Sequence, residues 1–539
     1  MHRIAPLFLL CLICSCSPEK KQEQLPKSLI LNACLNDTFI PDGGSLGGLQ
    51  TGGNSFKLNF SKPIDLDKGG AEKIFFSGGT PAVSAGENDK QLVVTLPDGM
   101  TPLKSYTFAI SAGEVFGLNL IAGYKCSLAT GPDPADKFPR ISTEELLDKV
   151  QAQTFRYFWD YAHPVSGLSR ERLGSGETVT TGGSGFGIMC IPAAIERGFI
   201  SREAGAQRIR TIVEFLSGKA DRFHGAFSHW LNGSTGKVIP FSSNDNGGDL
   251  VETAFLVQGL LTAAQYFDAP GEEDIRSGID AIWRSVEWDW YTRGGDMLYW
   301  HWSPDKGWAM NMGIRGWNEG LIVYVLAASS PTHPVSPGTY HTGWAHDGGI
   351  RNGKKYYDIT LPLGSAYGGP LFFTHYSFLG LDPRNLKDKY AAYWEQNTAH
   401  ARINHAYCVA NPGKHAGYGD QCWGLTASDI PGGYAASSPT NDKGVIAPTA
   451  ALSSFPYTPE QSLKALEYFY YVLGDKLWGE YGFKDAFCMD KLWFASSYIA
   501  IDQGPVVVMI ENYRSGLLWN LFMQNADVSA GLDKLGFTR

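Results

Sequence analysis

The sequence predicts two folded domains of different class, an all-β sandwich followed by an all-α barrel of helical hairpins, an (α/α)6 barrel. Residues 27–130 contain short strand-like runs separated by Gly, Pro, Asn and Asp turns. After a turn-rich linker at 131–140, the apolar spacing is helical throughout 141–539. About 400 residues of helices without a fixed sequence repeat favour a closed toroid over an elongated solenoid.

Composition excludes several classes of protein. With 43% hydrophobic and 18% charged residues in 539, the chain is globular and too large for a disulfide-stapled scaffold. The net charge of −9 provides no basic surface, so we expect no nucleic-acid partner. Aromatic residues make up 13%, and their flat faces suit stacking on sugars as well as core packing. We expect a monomer.

The first residues have the pattern of an export signal. A short polar start precedes an apolar run at 4–13 that is too brief to span a membrane, followed by small residues. Residues 13–16 resemble the lipobox of bacterial lipoproteins, with Cys16 in the position that is acylated. The sequence thus predicts a signal peptide at 1–15, a lipidated polar tether at 16–26, and an exported lipoprotein of the outer membrane, on its periplasmic or cell-surface face.

Six cysteines remain after the predicted processing, and none forms a Cys-x-x-Cys pair. Cys34 and Cys126 bracket the first domain, and an exported protein can hold a disulfide there. Their dispersed spacing nevertheless favours free buried thiols, and it is unlike the spacing of zinc ligands.

The predicted strands of the first domain lie at 56–60, 92–96 and 106–110, between turns such as 41–44. Short strands at this interval are typical of a sandwich. The motifs at 60–65 and 103–108 resemble the bacterial immunoglobulin-like modules that precede exported enzymes. We therefore expect a spacer domain.

The second domain opens with a capping box, Ser142-Thr143-Glu144-Glu145, which predicts a long first helix. Further helical patterns follow at 187–197, 202–216, 250–267, 272–290, 320–328, 386–403, 459–473 and 507–524. Long connections rich in glycine and aromatic residues separate these helices, and no connection has the pattern of a strand.

Three acids crowd a glycine-rich loop at 240–252. Asp249 can cap the following helix, and Glu252 can complete the cap and complement the helix dipole. Asp245 lies before the cap, where it can face a pocket, and carboxylates this close push one another's pKa values apart. Calcium binding is an alternative, but the spacing departs from that of an EF-hand. We expect no metal or other cofactor.

Two further carboxylates stand at the starts of apolar helices. Glu319 follows Trp317 and Asn318 and precedes a glycine, a suitable place for a general acid, although it could also serve only the helix dipole. Asp502 is predicted to lie in the loop before a helix, either as a cap or as the opposing base.

Aromatic and polar residues cluster at three places that would suit sugar subsites, where indoles stack and polar side chains bind hydroxyls. His229, His301 and His375 fit no zinc motif and are more typical of hydrogen-bonded structural histidines. The candidate substrate-binding residues are His229, Trp230, His301, Trp302, Trp317, Tyr418, Trp423 and Arg172.

From about residue 141 to its end, the chain resembles the exported "glucoamylase-like" proteins of glycoside hydrolase family 144, the bacterial β-1,2-glucanases. The motifs that carry the resemblance lie at 154–160, 166–172, 222–227, 245–253, 300–304, 317–319, 329–334 and 502–505. The resemblance implies an (α/α)6 barrel and inverting hydrolysis of β-1,2-glucan to sophorose or longer oligosaccharides. Asp245, Asp249, Glu252 and Glu319 match positions that the family needs for activity.

Inversion requires one protonated carboxyl and one carboxylate that activates water on the opposite face of the sugar. We assign Glu319 as the acid, and Asp502, Asp245 or Asp249 as the base. Two alternatives stay open: a lipoprotein that captures glycan without cleaving it, and a hydrolase of another glucan.

Overall fold

The computed structural model describes residues 24–539, so the predicted signal peptide, Cys16 and most of the tether lie outside the described residues. The chain divides into two compact units. One extends to Thr101 and includes Ser105–Leu128, and the other comprises Pro102–Lys104 and Ala129–Arg539. Within residues 24–539, every helix is too short or too polar to cross a bilayer.

The first unit is built from β-strands, as predicted. Its sheets have the strand orders β3-β2-β5-β8-β7, β4-β12-β9-β6 and β1-β11-β10. The strands are Lys27–Ser28 (β1), Ile30–Leu35 (β2), Thr38–Phe39 (β3), Ser45–Leu49 (β4), Ser55–Phe60 (β5), Ile74–Phe76 (β6), Ala82–Ala85 (β7), Gln91–Thr95 (β8), Ser105–Ile110 (β9), Gly113–Val115 (β10), Leu118–Leu120 (β11) and Tyr124–Thr130 (β12).

The core of this unit comes from alternating side chains. In β5 and β9, every second residue is buried, which is the period-two pattern of a sheet with one covered face. Phe56 of β5 stacks on Phe108 of β9 with ring centroids 4.0 Å apart. The sheet that contains β5 and the sheet that contains β9 therefore meet face to face, and the sandwich prediction is confirmed.

The second unit is dominated by helices. They are Thr143–Trp159 (α1), Thr181–Glu196 (α2), Arg202–Gly218 (α3), Leu250–Tyr266 (α4), Glu273–Arg284 (α5), Leu321–Ser329 (α6), Tyr393–Ala410 (α7), Pro448–Leu452 (α8), Pro459–Glu467 (α9), Gly474–Leu477 (α10), Ala500–Arg514 (α11), Leu517–Met523 (α12) and Ala526–Leu535 (α13).

Six buried segments form an inner ring. In order they are α2, α4, α6, the paired 3₁₀ turns Leu371–Thr374 and Tyr376–Leu379, α8 and α11, which closes the ring against α2. Helices α1, α3, α5, α7, α9 and α13 pack outside them. The inner helices are apolar on almost every face because neighbours surround them, whereas α5 keeps a polar outer face. This arrangement confirms the predicted helical barrel.

Helices α2 and α4 touch along their backbones. A Cβ atom at Gly185 would lie 2.2 Å from the carbonyl oxygen of Phe255, and one at Gly259 would lie 2.2 Å from the carbonyl oxygen of Gly185. Glycine is required at both positions because only a bare backbone permits this approach. The predicted start of α2 at residue 187 was wrong. Glycine lowers helical propensity, but Gly185 lies inside α2 because the close packing against α4 requires it.

Other helix boundaries also differ from the predictions. The pattern at 272–290 ends as α5 at Arg284, the one at 386–403 begins at Tyr393, and the one at 507–524 divides into α11 and α12. The break falls at Gly516, whose φ of +72° is left-handed. Capping was predicted more reliably: Ser142 Oγ accepts the Glu145 N–H, and Glu145 Oε2 accepts the Ser142 N–H.

The expectation that the second unit lacks strands was wrong, because the connections contain short antiparallel hairpins and a three-stranded sheet, β13-β16-β17. Two to four residues per strand are too few to show a period in the sequence. These strands are Thr178–Thr180 (β13), Arg222–Phe223 (β14), Ala226–Phe227 (β15), Trp230–Asn232 (β16), Val238–Ile239 (β17), Gly248–Asp249 (β18), His301–Trp302 (β19), Lys355–Tyr356 (β20), Ile359–Thr360 (β21), Ala427–Ile430 (β22), Gly433–Ala436 (β23), Trp478–Gly479 (β24), Gly482–Phe483 (β25), Phe487–Cys488 (β26) and Trp493–Phe494 (β27).

All six cysteines among residues 24–539 are free thiols. Cys34 is half-buried, and the other five are buried. Five of the six thiols in the described chain are thus buried as expected, and Cys34 is the exception.

Candidate active site

A cleft of about 390 Å³ opens where the inner helices begin. Its walls include Thr180 before α2, Glu252 in the first turn of α4, Glu319 just before α6, and Ile501 at the start of α11. Because these N-terminal ends meet at one end of the barrel, their partial positive charges face the same space. Polar side chains at helix starts therefore converge although they are far apart in sequence.

Asp249 is the structural centre of the acidic loop. It is fully buried, and its Oδ1 caps α4 by accepting the N–H groups of Val251 and Glu252, each at 2.9 Å. Its Oδ2 accepts the indole N–H of Trp300 at 3.0 Å and contacts His229 Nδ1 at 3.1 Å. The predicted cap is thus present, and the remaining oxygen binds the wall of the cleft.

His229 lies among all three acids of the loop. Its Nδ1 is 3.4 Å from Asp245 and 3.1 Å from Asp249, and its Nε2 is 3.9 Å from Glu252. Burial by itself lowers the pKa of His229, but attraction to Glu252, Asp245 and Asp249 outweighs it and raises that pKa well above the usual value. An imidazolium therefore partly neutralises three carboxylates.

The His229, Asp245 and Asp249 ligand atoms lie within 4.8 Å of one another, a separation that a metal ion could bridge. Both Asp249 oxygens already receive hydrogen bonds, one of them from the Trp300 indole, which can only donate. An imidazolium, held in place by three carboxylates, also has no lone pair for a metal. The donor set therefore suits an ion-pair cluster better than a cation.

Three carboxyls line the cleft: Glu171, which pairs with Arg172, and Glu252 and Glu319. Glu252 Oε2 accepts the N–H of Gly182 at 2.7 Å, which ties it to the start of α2. Burial raises the pKa of Glu252 to about 7, although the His229 charge opposes this. Glu252 thus differs from Glu319 in having a cation and a backbone donor beside its carboxyl oxygens.

Glu319 is placed by its neighbours in the chain. Asn318 Oδ1 accepts the N–H of Gly320 at 2.9 Å, and the Glu319 carbonyl accepts the Ser377 hydroxyl. Burial, followed by the nearby charges of Glu252 and Asp249, raises the pKa of Glu319 to about 7. A carboxyl that keeps its proton near neutral pH at a cleft wall can act as a general acid.

Asp502 lies within the first turn of α11 and not in a preceding loop, because the helix already starts at Ala500. Its side chain is 1% exposed and does not line the cleft itself. Its Oδ1 accepts the hydroxyl of Tyr376 at 3.3 Å, and Tyr376 lines the cleft. Asp502 therefore stands directly behind the cleft wall.

Arg172 lines the cleft and forms two ion pairs. Its Nε bonds Glu171 at 2.9 Å, and one terminal nitrogen bonds Asp429 at 3.1 Å. Asp429 also accepts the Ser497 hydroxyl at 2.6 Å. Arg172 is thus fixed in orientation, as a residue that positions a ligand should be.

Aromatic faces form much of the cleft. Trp230 lies there as predicted, and Phe241 stacks on His229 at 4.1 Å, with half of its surface exposed. The sequence analysis did not single out Phe241, Tyr376 or Tyr434 because an aromatic residue in a long loop carries no periodic signal.

His301 and Trp302 lie outside this cleft. His301 is 2% exposed, and its Nε2 accepts the N–H groups of Asn246 and Gly247 at 3.1 and 2.9 Å, so it shapes the acidic loop. Trp302 contacts His224 and Trp290 beside a separate surface groove. Trp300, two residues before Trp302, lines the cleft instead and donates its indole N–H to Asp249.

Three more predicted sugar-binding residues serve packing instead. Trp423 is fully buried, and its indole donates to the Gln461 carbonyl. Tyr418 donates to Asp442 away from the cleft, and Trp317 is 6% exposed between Phe378 and Tyr393. Sequence alone does not distinguish a tryptophan in the core from one in a cleft.

The barrel, with acids and aromatic side chains converging at the N-terminal ends of its inner helices, defines the class of carbohydrate-active helical barrels. Residues 311–526 match the family model "Glycoamylase". The chain is 52% identical to an endo-β-1,2-glucanase from Chitinophaga pinensis, solved with sophorotriose and glucose, over 74% of this chain and 99% of that one, with a TM-score of 0.73. It belongs to the glucoamylase-like family, glycoside hydrolase family 144.

Two relatives from Parabacteroides distasonis extend this comparison. A solved β-1,2-glucanase is 41% identical over 95% of this chain and 74% of that one, with a TM-score of 0.72. An exo-β-1,2-glucooligosaccharide sophorohydrolase acting at the non-reducing end is 51% identical over 73% of this chain. The match spans 58% of that relative's length.

Proposed function

We propose that the protein hydrolyses β-1,2-glucosidic bonds with inversion and releases sophorose or longer β-1,2-gluco-oligosaccharides. The observation that carries the proposal is Glu319, a carboxyl at the cleft wall whose pKa is raised to about 7 by burial. The relatives described above, which act on β-1,2-linked glucose, support the choice of substrate.

In this mechanism, Glu319 gives its proton to the leaving glycosidic oxygen as the bond to the anomeric carbon breaks. A water molecule attacks that carbon from the opposite face, and its proton passes to the base. Asp502 is our candidate base, because it accepts the hydroxyl of Tyr376, which lines the cleft. Asp245 and Asp249 are less suited, since neither lines the cleft, both contact the His229 imidazole, and Asp249 also binds the Trp300 indole.

The rest of the cleft binds and orients the chain. Trp230, Phe241 and Tyr434 offer flat faces for the apolar side of a glucose ring. Arg172 offers donors for hydroxyl groups, and Glu252 offers an acceptor. These contacts also exclude water, which strengthens the electrostatic effect of Glu319.

The test is release of reducing sugar from β-1,2-glucan, laminarin, lichenan and starch, with product masses. We expect release from β-1,2-glucan alone, and its loss in Glu319→Gln. Release from another glucan would identify a different hydrolase. Binding to β-1,2-glucan with no release from any substrate would identify a capturing protein.

Product length also decides between endo and exo action. Ala427, Tyr434 and Ala436 of the β22–β23 hairpin line the cleft, so this hairpin limits the space available to a bound chain. Sophorose as the sole early product would mean that the hairpin closes one end. A ladder of oligosaccharides would mean that the cleft is open at both ends.

We also propose that Cys16 is lipidated and anchors a monomer to the outer membrane. The support is the lipobox-like sequence at 13–16 and the polar stretch that follows it. Mass spectrometry of the N-terminal peptide should show acylated Cys16, and Cys16→Ser should move the protein to the soluble fraction. An unmodified Cys16 in a membrane-free protein would contradict the proposal.

A further inference from the structure

A second buried carboxyl lies beside Asp502. Asp485 follows strand β25, is 2% exposed, and is within hydrogen-bonding reach of Asp502. Asp485 stands in a loop between two short strands, so no pattern in the sequence predicts a role for it. The two carboxyls come from segments that only the folded barrel brings together.

Two of the four carboxyl oxygens of Asp485 and Asp502 accept a hydrogen bond from the described residues. Asp485 Oδ2 accepts the N–H of Asp429 at 2.7 Å, and Asp502 Oδ1 accepts the Tyr376 hydroxyl at 3.3 Å. The other two, Asp485 Oδ1 and Asp502 Oδ2, are buried and receive no donor from the described residues. An ionised carboxylate can only accept, so two adjacent carboxylates remain unsatisfied unless a proton lies between them.

The surroundings of the pair do not supply a neutralising cation. Both side chains line one small cavity with room for about one water molecule. Arg172 is already paired with Glu171 and Asp429. Burial and then the mutual charge raise the pKa of Asp502, and burial also raises the pKa of Asp485. The titratable or charged groups around the pair are Asp429, Arg172, Tyr376, Tyr434 and Lys484. The Lys484 ammonium donates to the Lys476 carbonyl.

We propose that Asp485 and Asp502 share one proton and act together as the base, with Asp485 the positioning residue for Asp502. This rests on the proposed function. As the attacking water bonds to the anomeric carbon, its proton passes to the Tyr376 hydroxyl, which gives its own proton to the pair with its single negative charge. Glu319 meanwhile gives its proton to the leaving oxygen. Release of the extra proton to solvent and uptake of one by Glu319 restore the starting state.

Infrared spectroscopy of the substrate-free protein tests the shared proton directly. Besides the band of Glu319, which Glu319→Gln removes, we expect the wild type at neutral pH to show a second carboxylic-acid C=O band that is lost both in Asp485→Asn and in Asp502→Asn. Each change takes away the like-charged neighbour and supplies an amide donor, and both effects lower the pKa of the carboxyl that remains. Asp388→Asn is the matched control, because Asp388 accepts hydroxyl and backbone donors and has no second carboxyl beside it.

The kinetic test uses Asp485→Asn, whose amide can still donate to Asp502. We expect KM to stay within about twofold and kcat to fall by roughly tenfold. The acidic limb of log kcat against pH, which reports protonation of the base, should shift because a single carboxyl replaces a pair that shares its proton. A purely structural role would lower kcat without moving that limb.

A pair band that persists in Asp485→Asn, or an unchanged acidic limb, would overturn the shared proton. If Asp485→Asn proves unfolded by circular dichroism, Asp502→Asn decides, because the same band must be absent there. The spectrum does not depend on substrate. Failure of the wild type to cleave β-1,2-glucan would therefore refute the proposed function while leaving the infrared result to be judged separately.

Discussion

The two groups of buried carboxyls in the barrel differ in what balances their charge. Asp245, Asp249 and Glu252 surround His229, and backbone N–H groups at helix starts bind Asp249 and Glu252. Asp485 and Asp502 have no such cation, and Glu319 at the cleft wall lacks one as well. The first group thus contains its own counter-charge, whereas burial raises the pKa values of Glu319, Asp485 and Asp502 with no cation from the described residues beside them to oppose it.

This difference separates structural acids from acids suited to proton transfer. A paired, capped carboxylate holds its environment together but has little tendency to give or take a proton. A desolvated carboxyl without a cation has the matched proton affinity that catalysis requires. Each of the following variants tests on which side of this division a residue falls.

The largest expected effect is the loss of catalytic turnover in Glu319→Gln. The amide fills the same space but has no acidic proton, so kcat on β-1,2-glucan should fall by about 10²- to 10⁴-fold. KM should change little. The measurement is steady-state reducing-sugar release, with a melting curve to establish that the variant is folded. Turnover near that of the wild type would remove Glu319 from the role of acid.

Removal of the cation from the first group should chiefly reduce stability. His229→Gln leaves three carboxylates without their counter-charge, and breaking a buried ion pair in this way costs about 3–5 kcal/mol. The measurement is urea unfolding at pH 6, where the imidazolium is fully present.

The matched control is His333→Gln. His333 pairs with Asp289 at 3.1 Å on the surface, and an exposed pair contributes about 0–1 kcal/mol. Because the folded pKa of His229 is raised, its stabilisation is complete below its unfolded pKa of about 6.5 and is lost as pH rises through the higher folded pKa. Equal losses for the two variants would contradict the central role of His229.

The second group should also lose stability as pH rises, but here because a buried acid has to ionise. The pKa of Glu319 is raised to about 7, so the folded state holds a proton that the unfolded state releases above its own pKa of about 4.3. Stability therefore falls as pH rises from there to about 7. Glu319→Gln abolishes this loss and should be more stable than wild type by about 1–3 kcal/mol at pH 8, but not at pH 4.

Chemical unfolding at the two pH values measures this difference. Asp388→Asn again serves as a control, since Asp388 accepts hydroxyl and backbone donors and does not line the cleft. A Glu319→Gln variant that is no more stable than wild type at pH 8 would mean that ionisation of Glu319 in the folded state does not lower the free energy of unfolding.

Much of the fold could be predicted from the sequence, because it depends on local patterns. The period-two strands, the capping box at Ser142 and the apolar helices gave the order of the two units. Segments whose form depends on tertiary packing could not be predicted. The start of α2 contains glycines that packing against α4 requires, and the short hairpins are stabilised by contacts with the barrel.

The candidate site was predictable where a residue stood at a helix start. Glu252 and Glu319 were found in this way, since the helix N-terminus and the adjacent glycine are visible in the sequence. Asp485 and Tyr376 were not found, because their role comes only from neighbours more than ten residues away. Tryptophans were also ambiguous, since the same residue type fills both the core and the cleft.

The smallest expected effect resolves that ambiguity for two tryptophans. Trp230 lines the cleft, whereas Trp302 contacts His224 and Trp290 outside it. Trp230→Ala should raise KM on β-1,2-glucan by about five- to tenfold, the value of roughly 1 kcal/mol of lost stacking, with kcat little changed. Trp302→Ala should leave KM within about twofold. Both indoles are partly exposed, so melting curves of the two variants give the cost in stability separately from binding. Equal effects on KM would mean that the glucan also extends over the surface beside Trp302, and the cleft would then be longer than its lining residues indicate.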